Sequence, residues 1–213
     1  AIDAASEWLS GALLWPMWLR LAGMKLGTDA EISTILDVLP EQVRIGSRCF
    51  LADGIYLAGP RVDRGTVTVA PVAIGDDTFL GNHVVIPPGV TLPDGILLGV
   101  CTVADPERVR PGSSWFGHPP FELPRREIVE VDRRLTHEPG TVRYVNRMLW
   151  ELTRLGLPIV PALALMAWIA VMSAAAQHLS GPWLWLGLAP AITFAFGLGF
   201  AVLVLALKWA LLG

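Results

Sequence analysis

The sequence predicts a left-handed parallel β-helix of hexapeptide repeats, with flanking α-helices and a transmembrane helical hairpin. Three observations predict it. First, "IGDDTFLGNHVVIPPGVTLPDGILLGV", residues 74–100, returns to an aliphatic residue every six positions, at Ile74, Leu80, Ile86, Leu92 and Leu98. A helix recurs at 3.6 and a simple strand at 2, so neither produces this period. Second, each aliphatic residue is followed by a small or turn-forming one (Gly75, Gly81, Pro87, Pro93, Gly99), and four places on stands a β-branched one (Thr78, Val84, Val90, Ile96, Thr102). A three-sided coil needs this grammar: an inward side chain, a tight turn, and an extended stretch suited to β-branching. Third, 157–176 and 181–207 are two uncharged apolar runs, each about long enough to span a bilayer.

The elements follow in order. Residues 1–23 are apolar and Trp-rich until Arg20. They read as an interfacial helix or the tail of an upstream transmembrane helix, with Trp15 and Trp18 at headgroup level; a helix capping the end of the prism is the other reading. Residues 24–127 hold the β-helix, about five coils of about 18 residues. Leu26 and Ile32 stand six apart with Val38 next in phase; after a one-residue slip come Ile45, Leu51 and Leu57. "GPRVDRGTVTVAPVA" disturbs the phase and reads as a loop leaving the prism or an irregular coil. "DPERVRPGSS" interrupts it with turn residues. "SSWFGHPPFELPRREIVEVDRR" ends the stack, because paired prolines cannot continue a ladder, and should fold back as an extended arm.

Residues 128–156 form a linker and an amphipathic helix, with Val142, Val145, Leu149 and Leu152 on one face and Arg143, Arg147 and Arg154 on another. Residues 157–213 form two transmembrane helices joined by "QHLS". Arg143, Arg147 and Arg154 precede the first span and Lys208 follows the second, whereas the connecting loop holds no Lys or Arg. By the positive-inside rule the β-helix faces the cytoplasm from an inner, multi-pass membrane location. Trp150, Trp183, Trp185 and Trp209 fall near the span ends, where amphipathic rings prefer the interface.

Composition excludes several classes. A mean hydropathy of +0.53 is too high for an ordinary water-soluble domain, and its source is the hairpin. A net charge of −3 with no basic stripe argues against a nucleic-acid partner. Cys49 and Cys101 have no metal spacing and read as reduced packing residues. The absence of an initiating Met leads to the expectation of a piece of a longer chain.

"VAIGDDTFLGNHVVIPPGVTLPDGILLGV" followed by "SSWFGHPPFELPRRE" resembles the hexapeptide-repeat acyltransferases. With the "RRLTHEPG" linker and the hairpin, the whole arrangement resembles the membrane-embedded terminal region of nonribosomal peptide synthetases of the ε-poly-L-lysine synthetase type. The resemblance implies a domain that joins an aminoacyl thioester, held on a carrier's phosphopantetheine, to an amine acceptor. It implies as partners the membrane, a carrier domain, sister β-helix domains of the same longer chain and the aminoacyl substrate. No cofactor is expected to be bound by this chain itself, and no metal.

Acyl transfer to an amine needs a base near neutral pH, and in hexapeptide acyltransferases a histidine fills that role. His83, after Gly81 and Asn82, is the candidate catalytic residue; a solvated surface histidine is the plainer reading. Asn82, Trp115 and His118 are candidate substrate-binding residues. Trp115 and Phe116 would line a pantetheine channel or else close the apolar end of the prism, and His118 would act as a second histidine or as a contact of the exit arm. A prism-type metal hydrolase needs three histidines at one metal, and the prism holds only His83 and His118. Two other readings remain: a non-catalytic structural copy within a tandem pseudo-trimer, and a stand-alone acetyltransferase-like membrane enzyme.

Overall fold

The computed structural model describes residues 2–124, 132–135, 139–178 and 181–212. The chain divides into two compact units, residues 1–148 and 149–213. The expected domain limit at residue 127, the linker residues Thr136 to Glu138 with His137 between them, and Leu179–Ser180 of the connecting loop lie outside the described residues.

The first unit is a three-faced parallel β-helix. One face stacks Lys25–Leu26, Val43–Ile45, Val72–Ile74 and Thr91–Leu92. The second stacks Glu31–Ile32, Phe50–Leu51, Phe79–Leu80, Leu97–Leu98 and Ser114–Phe116. The third stacks Ile35–Leu36, Ile55–Leu57 and Val85–Ile86, and Val85 also bridges to Val103. All of these pairings are parallel. Phe79 lies over Leu97 and Leu80 over Leu98, one eighteen-residue coil on.

Ile74, Leu80, Ile86, Leu92 and Leu98 are all buried, as the repeat requires. Thr78, Val84, Val90, Ile96 and Thr102 are buried too. Each stands two residues before the next aliphatic residue, hence on the same side of the extended chain. Every six-residue side therefore sends two side chains inward. A fully buried Leu or Ile contributes about 1.5–3 kcal/mol over an exposed one, so the core is a column of such contributions. The two threonines keep their hydroxyls satisfied: Thr78 Oγ1 donates to Gly75 O at 3.0 Å, and Thr102 Oγ1 accepts from Gly117 N–H at 3.0 Å.

Three expectations are corrected. Val38 is only partly buried, and Ile35 takes the core position, because the Ser33–Thr34 corner is one residue shorter than its successors. Helices α1 (Ile2–Leu9) and α2 (Leu14–Leu21) cap the open end of the first coil. Trp15, expected at headgroup level, is instead fully buried with Leu19 in the core. Its indole N–H donates to Ser33 O at 3.1 Å, and its ring stacks on Trp18 with centroids 5.4 Å apart. Cys49 is a packing residue, but Cys101 is exposed at a turn.

The phase-breaking stretch leaves the prism as an antiparallel hairpin, Arg61–Asp63 against Thr66–Thr68, exposed throughout. The exit arm does fold back: Phe121–Glu122 pairs antiparallel with Ser114–Phe116.

The second helical group comprises α3 (Thr141–Gly156), α4 (Ile159–His178) and α5 (Ala189–Leu212), the last preceded by a π-helical turn, Leu184–Leu188. On α3, Val142, Val145, Leu149 and Leu152 are exposed. Helices α4 and α5 pack on each other, and Trp168 Nε1 donates to Thr193 Oγ1 at 3.2 Å. The stretches Thr141–His178 and Leu184–Ala210 each contain a helix long and apolar enough to cross a membrane.

Candidate functional site

The corner between the second and third faces stacks equivalent turns from successive coils. Ser33–Thr34, Ala52–Asp53–Gly54, Gly81–Asn82–His83 and Gly99–Val100–Cys101 lie one above another, as the flanking pairings require. Backbone bonds tie them together: His83 N–H donates to Asp53 O, and Cys101 N–H to Asn82 O, both at 2.9 Å. The corner needs a residue in the left-handed region. Gly54 (φ 69°), His83 (φ 57°) and Cys101 (φ 57°) fill it in turn. That conformation turns the His83 side chain out of the prism, where it is exposed with Asn82.

His83 has a seat. A Cβ placed on Gly54 would meet His83 Nδ1 at 2.5 Å and Cε1 at 2.7 Å, so the imidazole leans over the bare Cα of Gly54. Asp53 beside it is held from both sides. Ser33 Oγ donates a short hydrogen bond to Asp53 Oδ1, and Thr34 Oγ1 donates to the same oxygen at 3.2 Å while accepting from Gly54 N–H at 2.9 Å. The Ser33 hydroxyl chiefly holds the Asp53 carboxyl below the usual carboxylate range; Thr34 and the charge of His83 act in the same direction. Asp53 is thus an ionised carboxylate bonded to the Ser33 and Thr34 hydroxyls, with the imidazole only a weak electrostatic neighbour.

Next to this corner lies an open groove of about 460 Å³, whose polar lining is Glu31, Ser33, Asp53 and Asn82; His83 stands beside the groove and does not line it. Its apolar lining includes Phe50, Phe79, Val100 and Phe116. Phe50 and Phe79 stack with centroids 5.1 Å apart and planes at 10°. Gly99 permits the close approach of Phe116, whose Cδ2 would stand 2.4 Å from an added Cβ.

Of the residues singled out in the sequence, Asn82 and His83 share this corner. Asn82 has a structural task, since its Oδ1 accepts from Asp53 N–H at 3.2 Å. Trp115 is buried and its Nε1 donates to Ser113 Oγ at 2.9 Å, so it closes the prism and does not line a channel. Of the Trp115–Phe116 pair, Phe116 is the one that reaches the groove. His118 follows Trp115 by three residues, as His83 follows Leu80, but the turn at Gly117–Pro120 carries it out of the stack, where it is exposed. Among the described residues no three His, Cys, Asp or Glu side chains come together as a metal site.

Asp53, Ser33 and Thr34 were missed from the sequence. Only the stacking register, which sets Phe50 beneath Phe79 across the inserted hairpin, brings Asp53 to His83.

No protein-family model matches the chain. Over 203 residues it is 34% identical to the delta-poly-L-ornithine synthetase of Acinetobacter baumannii (strain AB307-0294). The chain resembles one stretch of that synthetase. The match takes in 93% of this chain and 15% of the synthetase, so the chain spans well under a fifth of the curated relative it matches. Among solved structures, it is similar to a maltose O-acetyltransferase from Clostridium difficile 630, with 18% identity, 60% of this chain and 85% of that one covered, and a TM-score of 0.39. It is also similar to a galactoside acetyltransferase in complex with coenzyme A, with 25% identity, 53% of this chain and 57% of that one covered, and a TM-score of 0.38.

Proposed function

We propose that this chain is an acyltransferase-like domain of a membrane-bound nonribosomal peptide synthetase, forming amide bonds between a carrier-bound aminoacyl thioester and an amine acceptor. The observation that carries the reading is the exposed His83 imidazole seated on the bare Cα of Gly54, in the same corner as the Asn82 and Asp53 that line the groove. A freely solvated histidine has no such seat, and a base works best where its ring is held in place. Similarity to a delta-poly-L-ornithine synthetase supports an amino-acid amine as acceptor.

His83 takes the proton that the amine sheds as it attacks the thioester carbonyl, and returns it to the departing thiol. The apolar side of the groove, Phe50, Phe79, Val100 and Phe116, would hold the phosphopantetheine arm, which supplies the activated thioester. With the hairpin in the inner membrane and the prism on the cytoplasmic side, carrier and sister domains would reach the groove from the cytoplasm.

The test is His83→Ala and His83→Gln in the intact enzyme. Removing a general base typically costs about a hundred- to ten-thousand-fold in rate. Both variants should lose amide formation on that scale while adenylation and carrier loading persist. Product at the parental rate in both would make this copy a structural wall.

A further inference from the structure

Gly54 stands three residues after Leu51, as His83 does after Leu80 and Cys101 after Leu98, so the three share one position of the stacked corner. All three have a left-handed backbone, and the corner accepts side chains there, since two of the three carry one. The corner between the first and second faces does the same. Asp29, Arg48 and Asp77 fill its left-handed position, and Arg48 uses the space to pair with Asp77 at 2.7 Å. A left-handed turn therefore does not by itself call for glycine in this prism. What sets Gly54 apart is the imidazole on the next coil. Among the described glycines with positive φ, no other would bring an added Cβ within 3.0 Å of any atom; the next closest approach is 3.4 Å, at Gly89 and Gly117. At Gly54 all three nearest atoms belong to the His83 ring.

We propose that Gly54 is a positioning residue of the acyl-transfer site, whose missing side chain lets the His83 imidazole lie down on the corner beside the groove. The inference rests on the reading of His83 as the base. The seat itself is rigid. Gly54 is buried, its N–H donates to Thr34 Oγ1 at 2.9 Å, and the next residue, Ile55, is fully buried in the core. The coil that carries His83 is tied to the seat by the bond from His83 N–H to Asp53 O at 2.9 Å. The ring edge with Nδ1 and Cε1 rests over the bare Cα, so a methyl group there would have to push the whole ring away. A base acts only where its ring meets the reacting proton. A displacement of about 1 Å is enough to cost about a hundredfold in rate.

Two alanine substitutions in the intact enzyme separate the seat from the strain of the turn. Gly54→Ala and Gly112→Ala both put alanine in the left-handed region, at φ 69° and 72°, but nothing lies within 4 Å of an added Cβ at Gly112. Gly54→Ala should lower kcat about a hundredfold with KM for both substrates unchanged, whereas Gly112→Ala should keep the parental kcat. The denaturation midpoint should fall further in Gly54→Ala than in Gly112→Ala. With the imidazole removed by His83→Ala, the two alanines should cost the same, because the ring no longer meets the new methyl group. Parental kcat in Gly54→Ala, an equal kcat loss in Gly112→Ala, or a Gly54→Ala penalty undiminished without the imidazole would overturn the assignment. Should Gly54→Ala fail to fold, its combination with His83→Ala still decides: a folded double variant supports the seat, and an unfolded one overturns it. If His83→Ala kept its activity the function itself would fall. If His83→Ala were inactive and Gly54→Ala fully active, the function would stand and only the seat would go.

Discussion

Cys49 shows how the prism treats an ionisable group with no aspartate-like network. It is buried, and its thiol lies 3.2 Å from Gly75 O and 3.5 Å from Ser47 O. Burial pushes that thiol above its ordinary range. The folded value then exceeds the unfolded one, so its contribution to stability is complete below the unfolded value. That contribution is lost as pH rises through the folded one. Urea midpoints measured from about pH 8 to about pH 10.5 should fall with pH in the parent, and the fall should be shallower in Cys49→Ala. Equal slopes would mean the thiolate is tolerated inside. Asp53 has the opposite sign, since its carboxyl is depressed and what it contributes is lost on acidification.

The N-terminal helices turn a ragged end into a closed one. α2 places Trp15 and Leu19 on the first coil, and replacing so large a buried side chain by alanine removes about 3–5 kcal/mol. Trp15→Ala should lower the denaturation midpoint of the first unit accordingly. A loss below about 1 kcal/mol, far under that range, would show that α2 is not part of the fold. The period of six made the prism legible, because Leu80 or Ile86 can recur only where a coil has three short sides. The capping role of α2 was one of two readings the sequence left open, for a physical reason: a Trp-rich apolar helix suits a lipid interface and a prism end equally well. The candidate corner was half legible. His83 announces itself within a regular coil, but Asp53 lies across the Arg61–Thr68 hairpin, whose insertion stretches the step from Phe50 to Phe79 beyond one regular coil. Ser33 was hidden by a short corner, since losing one residue there shifts the apparent phase without moving the stack.

At the scale of the whole molecule, the two apolar helices and the exposed Cys101 offer a direct topology experiment. A cysteine introduced at position 180, between the spans, should react with an impermeant maleimide on intact cells. Cys101, in the prism, should react only after the membrane is opened. The reverse pattern would invert the proposed orientation and move acyl transfer to the other side of the membrane.

The longest face of the prism is finished at both ends. The turn at Ser10–Gly11 occupies the outer side of Glu31–Ile32, and Phe121–Glu122 runs backwards along Ser114–Phe116. Neither end of that face leaves a parallel template on which another chain could continue the ladder. Copies of this domain cannot therefore fuse into a longer fibre through that face.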